Sequence, residues 1–130
     1  MTGQRLTFWV AGQPVGYSRG SARHGFTSRE EATWRMLVAH AWAPCSSERF
    51  ATYRGRVAVQ LMFVGVWKQD ADNLAKPVLD ALTGLAWVDD RQVTDLAVSL
   101  VGTELTPKGG RRKPPDAPAG CTVIIDWLDL

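Results

Sequence analysis

The sequence predicts an α+β domain in which a mixed β-sheet packs against two helices, in the order β-α-β-α-β-β. Two stretches with apolar residues at helical spacing alternate with short runs rich in β-branched and aromatic residues. The chain has 130 residues, enough for one compact core and too few for two. Apolar residues make up 45% and charged residues 22%, an ordinary globular mix that gives no support to a disordered or fibrous chain. A single domain over residues 1–130 is the expectation.

Residues 6–10 read as a first strand, and Gly12, Pro14, Gly16, Gly20 and Gly25 then break the chain into a loop expected to be mobile. Ser28, with Glu31 three residues on, has the form of a capping box. Trp34, Leu37, Val38, Ala41 and Trp42 then recur at helical spacing until Pro44. In residues 57–67, Val57, Val59, Leu61 and Phe63 fall on one face and Ala58, Gln60, Met62 and Val64 on the other, the pattern of a central strand. A second helix has Leu74, Val78, Leu82 and Leu85 as its apolar stripe. Pro77 is expected near its first turn, because a deeper proline removes a backbone donor and clashes with the preceding turn. Residues 93–101 and 122–128 read as two more strands. Between them, residues 106–119 are rich in Pro, Gly and basic side chains and are expected to form an exposed loop.

The longest apolar stretch contains Gln60 and ends at Lys68, well short of the roughly 20 residues a bilayer crossing needs. The polar first residues and the short apolar run after them do not resemble a signal peptide, so a cytoplasmic protein without a membrane span is expected. Cys45 and Cys121 are far apart and lack paired-ligand spacing, which reads as two buried free thiols that do no chemistry. The net charge of +2 is too small to argue for a nucleic-acid partner by itself. Its distribution says more. Arg19, Arg23 and Arg29 lie in and just after the first loop, and Lys108, Arg111, Arg112 and Lys113 in the last one, while acids gather between Asp70 and Asp95. An acidic centre flanked by basic loops suits a metal held beside a phosphate backbone.

Asp70 and Asp72 follow the proposed central strand, where residues two apart in extended chain point to one side. Asp72 or Asn73 is placed to cap the next helix. Asp89 and Asp90 lie beyond that helix; if the two flanking strands are neighbours, all four carboxylates can converge. Convergence is costly without a cation, because like charges held close repel. Carboxylates with water are the ligands Mg²⁺ prefers, and the ion can activate a water for attack on a phosphodiester. Lys76 would offset the charge, bind the scissile phosphate or protonate the leaving oxygen. The plainer reading of an isolated D-x-D is a set of caps and turn residues. A calcium loop fits badly, with Leu74 at a ligand position and Ala75 where glycine is wanted. A phosphatase-type D-x-D needs a larger doubly wound domain.

From Asp70 to Val93 the chain reads D-A-D-N-L-A-K-P-V-L-D-A-L-T-G-L-A-W-V-D-D-R-Q-V. This resembles the signature of the RusA family of crossover junction endodeoxyribonucleases, D-x-D-N-x-x-K, then D-A-L, then D-D-x-Q-V. F-W-V-A-G-Q-P-V from Phe8 to Val15 is similar to the family's first strand and turn. The resemblance implies a RusA-like fold and a homodimeric, Mg²⁺-dependent resolvase, with Mn²⁺ as a possible substitute, acting in recombination and repair in a bacterial or phage-infected cell. Its substrate would be branched DNA, the four-way Holliday junction, cut by paired symmetric nicks. Asp70, Asp72 and Asp90 match the family's catalytic, metal-holding aspartates and Lys76 its catalytic lysine. Asp89 is then a fourth acid of the metal site, holding the ion, supporting it from behind or playing a structural part. In many members lysine and arginines follow the G-x-P turn; here Val15, Gly16 and Tyr17 precede Arg19.

Arg19, Arg23, Lys76, Arg111, Arg112 and Lys113 are the candidate DNA contacts, a solvated loop being the alternative for the last three. Asp80, one turn from Lys76, is expected in a helix-surface ion pair worth ~0.3–0.5 kcal/mol. His24 is a loop residue that would at most touch phosphate, and His40 a helix-surface one. Of the six tryptophans, Trp34 and Trp42 suit a core, Trp9, Trp67 and Trp127 lie within or at the ends of strands, and Trp87 is a candidate for stacking on an unpaired base. Two rival readings stand beside the resolvase: a nuclease of the same fold acting on other branched or single-stranded nucleic acid, and a non-catalytic module that holds junctions.

Overall fold

A computed structural model describes residues 3–17, 28–45, 48–114 and 118–129. Strand β1 (Gln4–Ala11) leads to helix α1 (Arg29–Trp42), a 3-10 turn (Ala43–Cys45) and the short helix α2 (Glu48–Ala51). Strand β2 (Val57–Val64), helix α3 (Ala71–Leu82), a second 3-10 turn (Asp90–Gln92) and strand β3 (Val93–Leu100) follow. A two-residue hairpin, β4 (Glu104–Leu105) with β5 (Arg111–Arg112), precedes the last strand, β6 (Gly120–Trp127). The mixed sheet and two main helices match the expected class. The hairpin is a correction, since its second strand forms inside the stretch expected to be loop.

The sheet order is β1-β6-β2-β3, with β6 antiparallel to β1 and β2, and β3 parallel to β2. A parallel neighbour requires the chain to return to the starting end of β2, and α3 makes that return. Alternation decides which face is covered: Val57, Val59, Leu61 and Phe63 of β2 and Val123, Ile125 and Trp127 of β6 point under the helices and are buried. Trp34, Val38 and Trp42 of α1 and Leu74, Val78 and Leu82 of α3 meet them. Trp42 packs edge-on to Phe8 and Phe50, and Phe50 stacks on Trp127 at 4.0 Å.

Ser28 caps α1 as expected, its hydroxyl accepting from the Glu31 amide at 3.1 Å. Leu37 and Leu85 belong to the expected stripes yet stay well exposed; Leu85 falls outside the second stripe because α3 ends at Leu82 and the chain turns before it. Cys45 is half-buried rather than buried, while Cys121 is fully buried and its thiol is pushed up to about 12, leaving it unreactive. Trp87 is also corrected: it is fully buried and donates to the Thr83 hydroxyl at 3.1 Å, so no base can stack on it. His40 is exposed as expected; Arg19, Arg23 and His24, and most of the loop expected to be mobile, lie outside the described residues. Among the described residues no helix is long and apolar enough to cross a membrane.

Candidate active site

Asp70 and Asp72 stand at the carboxyl end of β2, the end where open α/β sheets place their ligands. The helix begins earlier than the sequence suggests. Asp70 itself, with extended backbone, is the N-cap of α3, and its carboxylate makes no capping hydrogen bond. Asp72 lies in the first turn, so neither it nor Asn73 caps, and the two acids do not share an extended segment. Both are exposed, beside the positive end of the helix dipole.

Pro77 sits inside α3 rather than in its first turn. Proline has no N–H to give the carbonyl four residues back, that of Asn73. The Tyr17 amide takes the acceptor instead, at 2.8 Å, which docks the segment after β1 on the start of α3. Gly16 leaves room here for the amide end of Gln69, which would have to swing aside for any larger residue. The Lys76 ammonium lies 5.3 Å from the Tyr17 ring centroid and 3.3 Å from Asp80, so the expected Lys76–Asp80 pair is present.

Arg111 supplies a contact that the sequence did not announce. It donates to the carbonyls of Gln69 at 2.8 Å and Trp67 at 3.4 Å, and reaches Asp70 Oδ1 at 3.2 Å. The guanidinium therefore ties the β4–β5 hairpin to the loop that carries Asp70. Arg111, expected as a DNA contact, is committed inside the protein; Arg112 and Lys113 are exposed.

Asp89 and Asp90 stand elsewhere. Gln92 accepts from the Val88 and Asp89 amides at 2.8 and 2.9 Å and donates to the carbonyls of Tyr53 and Gly55 at 2.7 and 2.9 Å. The turn is thus fastened to the chain entering β2. Asp89 Oδ1 caps the turn through the Arg91 amide, and both its oxygens receive the Arg91 guanidinium. These bonds to the charged form hold its carboxyl well below the usual carboxylate range. Asp90 is exposed.

The expected convergence of all four acids within one chain is therefore overturned. The two strands are neighbours, but they are parallel, with Val57 opposite Val93 and Phe63 opposite Leu100. The end of β2 that carries Asp70 is far from the end where β3 begins. Eight residues of strand span roughly 23 Å, and the twelve of α3 roughly 18 Å, so one ion cannot touch both pairs. Among the described residues no three His, Cys, Asp or Glu side chains form a metal-holding group.

A family model described as endodeoxyribonuclease RusA matches residues 11–109, which include both acid pairs and Lys76. No curated protein matches the chain.

Proposed function

The chain belongs to the RusA family of endodeoxyribonucleases, and on that premise we propose that it resolves four-way DNA junctions by metal-assisted phosphodiester hydrolysis, as a homodimer. The observation that carries the reading is the exposed pair Asp70 and Asp72 at the carboxyl end of β2, with Lys76 one turn along α3. Mg²⁺ characteristically binds to one or two carboxylates and completes its shell with water and substrate phosphate, so this pair fits it; Mn²⁺ is the expected substitute. When bound, the ion supplies charge stabilisation and an activated water.

The protein's own groups do the rest. Arg111 fixes the carboxylate of Asp70, and the amino end of α3 attracts the phosphate. Lys76, over the Tyr17 ring, meets the charge that develops on the phosphodiester or its leaving oxygen. Arg112, Lys113, Arg19 and Arg23 contact the backbone of the DNA arms. Asp90 reaches a pair of acids only from a second copy. A two-fold axis running across the strands sets the β3 entry of one subunit beside the β2 exit of the other. It thereby makes two equivalent sites for two symmetric nicks. Asp89, spent on Arg91, shapes the turn that presents Asp90. Such an enzyme works where the DNA is, in the cytoplasm of a bacterial or phage-infected cell.

The test is a synthetic mobile four-way junction, labelled on each strand in turn, with Mg²⁺, with Mn²⁺ or with EDTA. Paired symmetric nicks are expected with metal and none with chelator. Asp70→Asn should bind the junction and nick at least about a hundredfold more slowly. Equal cutting of forks, flaps and linear duplex would refute the junction preference. Binding with no nicking by the unaltered protein would leave only a junction-holding module.

A further inference from the structure

We infer that the groove between Trp67 and the β4–β5 hairpin holds one unpaired nucleotide of the DNA, its base on the indole and its flanking phosphates on Lys68 and Lys113. The inference rests on the nuclease reading above and extends it to how the substrate is opened beside the acids.

The groove is open, about 480 Å³, and lined by Trp67, Lys68, Leu105, Gly110, Arg111 and Asp70, so whatever fills it lies against the candidate site. Its size suits a small organic ligand. Its walls have two characters. Trp67 offers a half-buried aromatic face, and Leu105 is an exposed apolar side chain, 74% accessible. The rim is cationic: the Lys68 and Lys113 ammonium groups each lie 5.6 Å from the Trp67 ring centroid. Among the described residues neither lysine is paired with a carboxylate. A slot with an indole and a leucine among its walls and cations at its edge matches a base with its phosphates, and a stacked base tolerates any sequence. The lysines lie over the ring in the free protein and can swing to phosphate as the base takes their place. Arg111 stays fixed by Asp70 and two carbonyls and serves as wall. At Gly109, φ +91, a Cβ would meet nothing within 4 Å, so the hairpin tip leaves the opening clear. Arg111, Arg112 and Lys113 lie just beyond residues 11–109, which match the family.

The test uses a four-way junction with 2-aminopurine at the exchange point and a fluorescent oligodeoxythymidine, both in EDTA so that nothing is cut. The 2-aminopurine emission should change on binding of the unaltered protein and of Trp67→Phe, and stay flat with Trp67→Ala. The affinity of Trp67→Ala for the oligonucleotide should fall about tenfold. Lys68→Ala and Lys113→Ala should each lower the salt dependence of binding by about one counterion. Trp9→Ala, on the open face of the sheet, should match the unaltered protein. A folded Trp67→Ala that keeps both signal and affinity overturns the inference. If that variant does not fold, unchanged salt slopes in both lysine variants overturn it. Stacking by a protein that never nicks junctions would refute the nuclease reading alone; nicking without stacking would refute the groove alone.

Discussion

Arg111 and Asp89 divide the charge of the two acidic regions between structure and chemistry. One planar guanidinium bridges two carbonyls and Asp70 Oδ1, a task for which lysine lacks the geometry. The role of Arg111 is not recognisable from the sequence, because it acts across some forty positions; for Asp89 the sequence offered a structural part without naming Arg91 as the partner. At Asp89 the consequence is a pH dependence. Its carboxyl is held below the ordinary aspartate value of 3.8 by hydrogen bonds from the Arg91 guanidinium and amide. A depressed value means that the folded state favours the charged form, so the stabilisation is whole at neutral pH. It fades as pH falls below the ordinary aspartate range toward the lower folded value. Asp89→Asn keeps a capping oxygen and loses the charge. It should unfold at lower urea than the unaltered protein at pH 7, with the gap narrowing by pH 3; an equal gap at both pH values would show that the charge contributes nothing.

Elements with a local cause could be read in advance. The Ser28 cap, the alternation of β2 and the apolar stripes of α1 and α3 each depend on neighbours a few residues away, and each stands where expected apart from Leu37 and Leu85. What failed depends on distant partners. The β4–β5 hairpin is secured through Arg111 to the loop after β2, and Trp87 is buried because the chain after α3 turns under the sheet, where the Trp127 indole donates to the Ala86 carbonyl at 2.8 Å. Pro77 lies between these cases, since the carbonyl it frees could be named from sequence but not the amide that takes it. The Tyr17 bond makes a prediction about the element as a whole. Pro77→Ala restores an amide inside α3 that competes for the Asn73 carbonyl. Hydrogen exchange at the Tyr17 amide should then be faster by about tenfold or more, while amides in the middle of β2 keep their protection. Unchanged exchange at Tyr17 would mean that the docking of this segment owes nothing to the proline.

At the scale of the whole molecule, the residue types of the candidate site were legible and their separation in the fold was not. D-x-D-N-x-x-K and D-D-x-Q-V mark Asp70, Asp72, Lys76 and Asp90, but whether two strands run together or opposed is decided by the crossover between them, which no local pattern records. The parallel pairing separates the acids by the length of a strand, and this turns the homodimer from a convenience into a requirement of the proposed chemistry. Mixing two dead proteins tests this. In Asp70→Asn every shared site lacks its first acid, and in Asp90→Asn every site lacks its third, so each alone should be inactive. A mixed dimer behaves differently: one site collects both substitutions, and the other receives Asp70 from one subunit and Asp90 from its partner, both intact. After unfolding and refolding an equal mixture, half of the dimers are mixed, and roughly a quarter of the normal number of sites should be whole. Because a mixed dimer has a single working site, it should nick one strand of the junction without the symmetric second cut. Were each site built within one chain, every subunit would carry a lesion and no mixture would recover nicking.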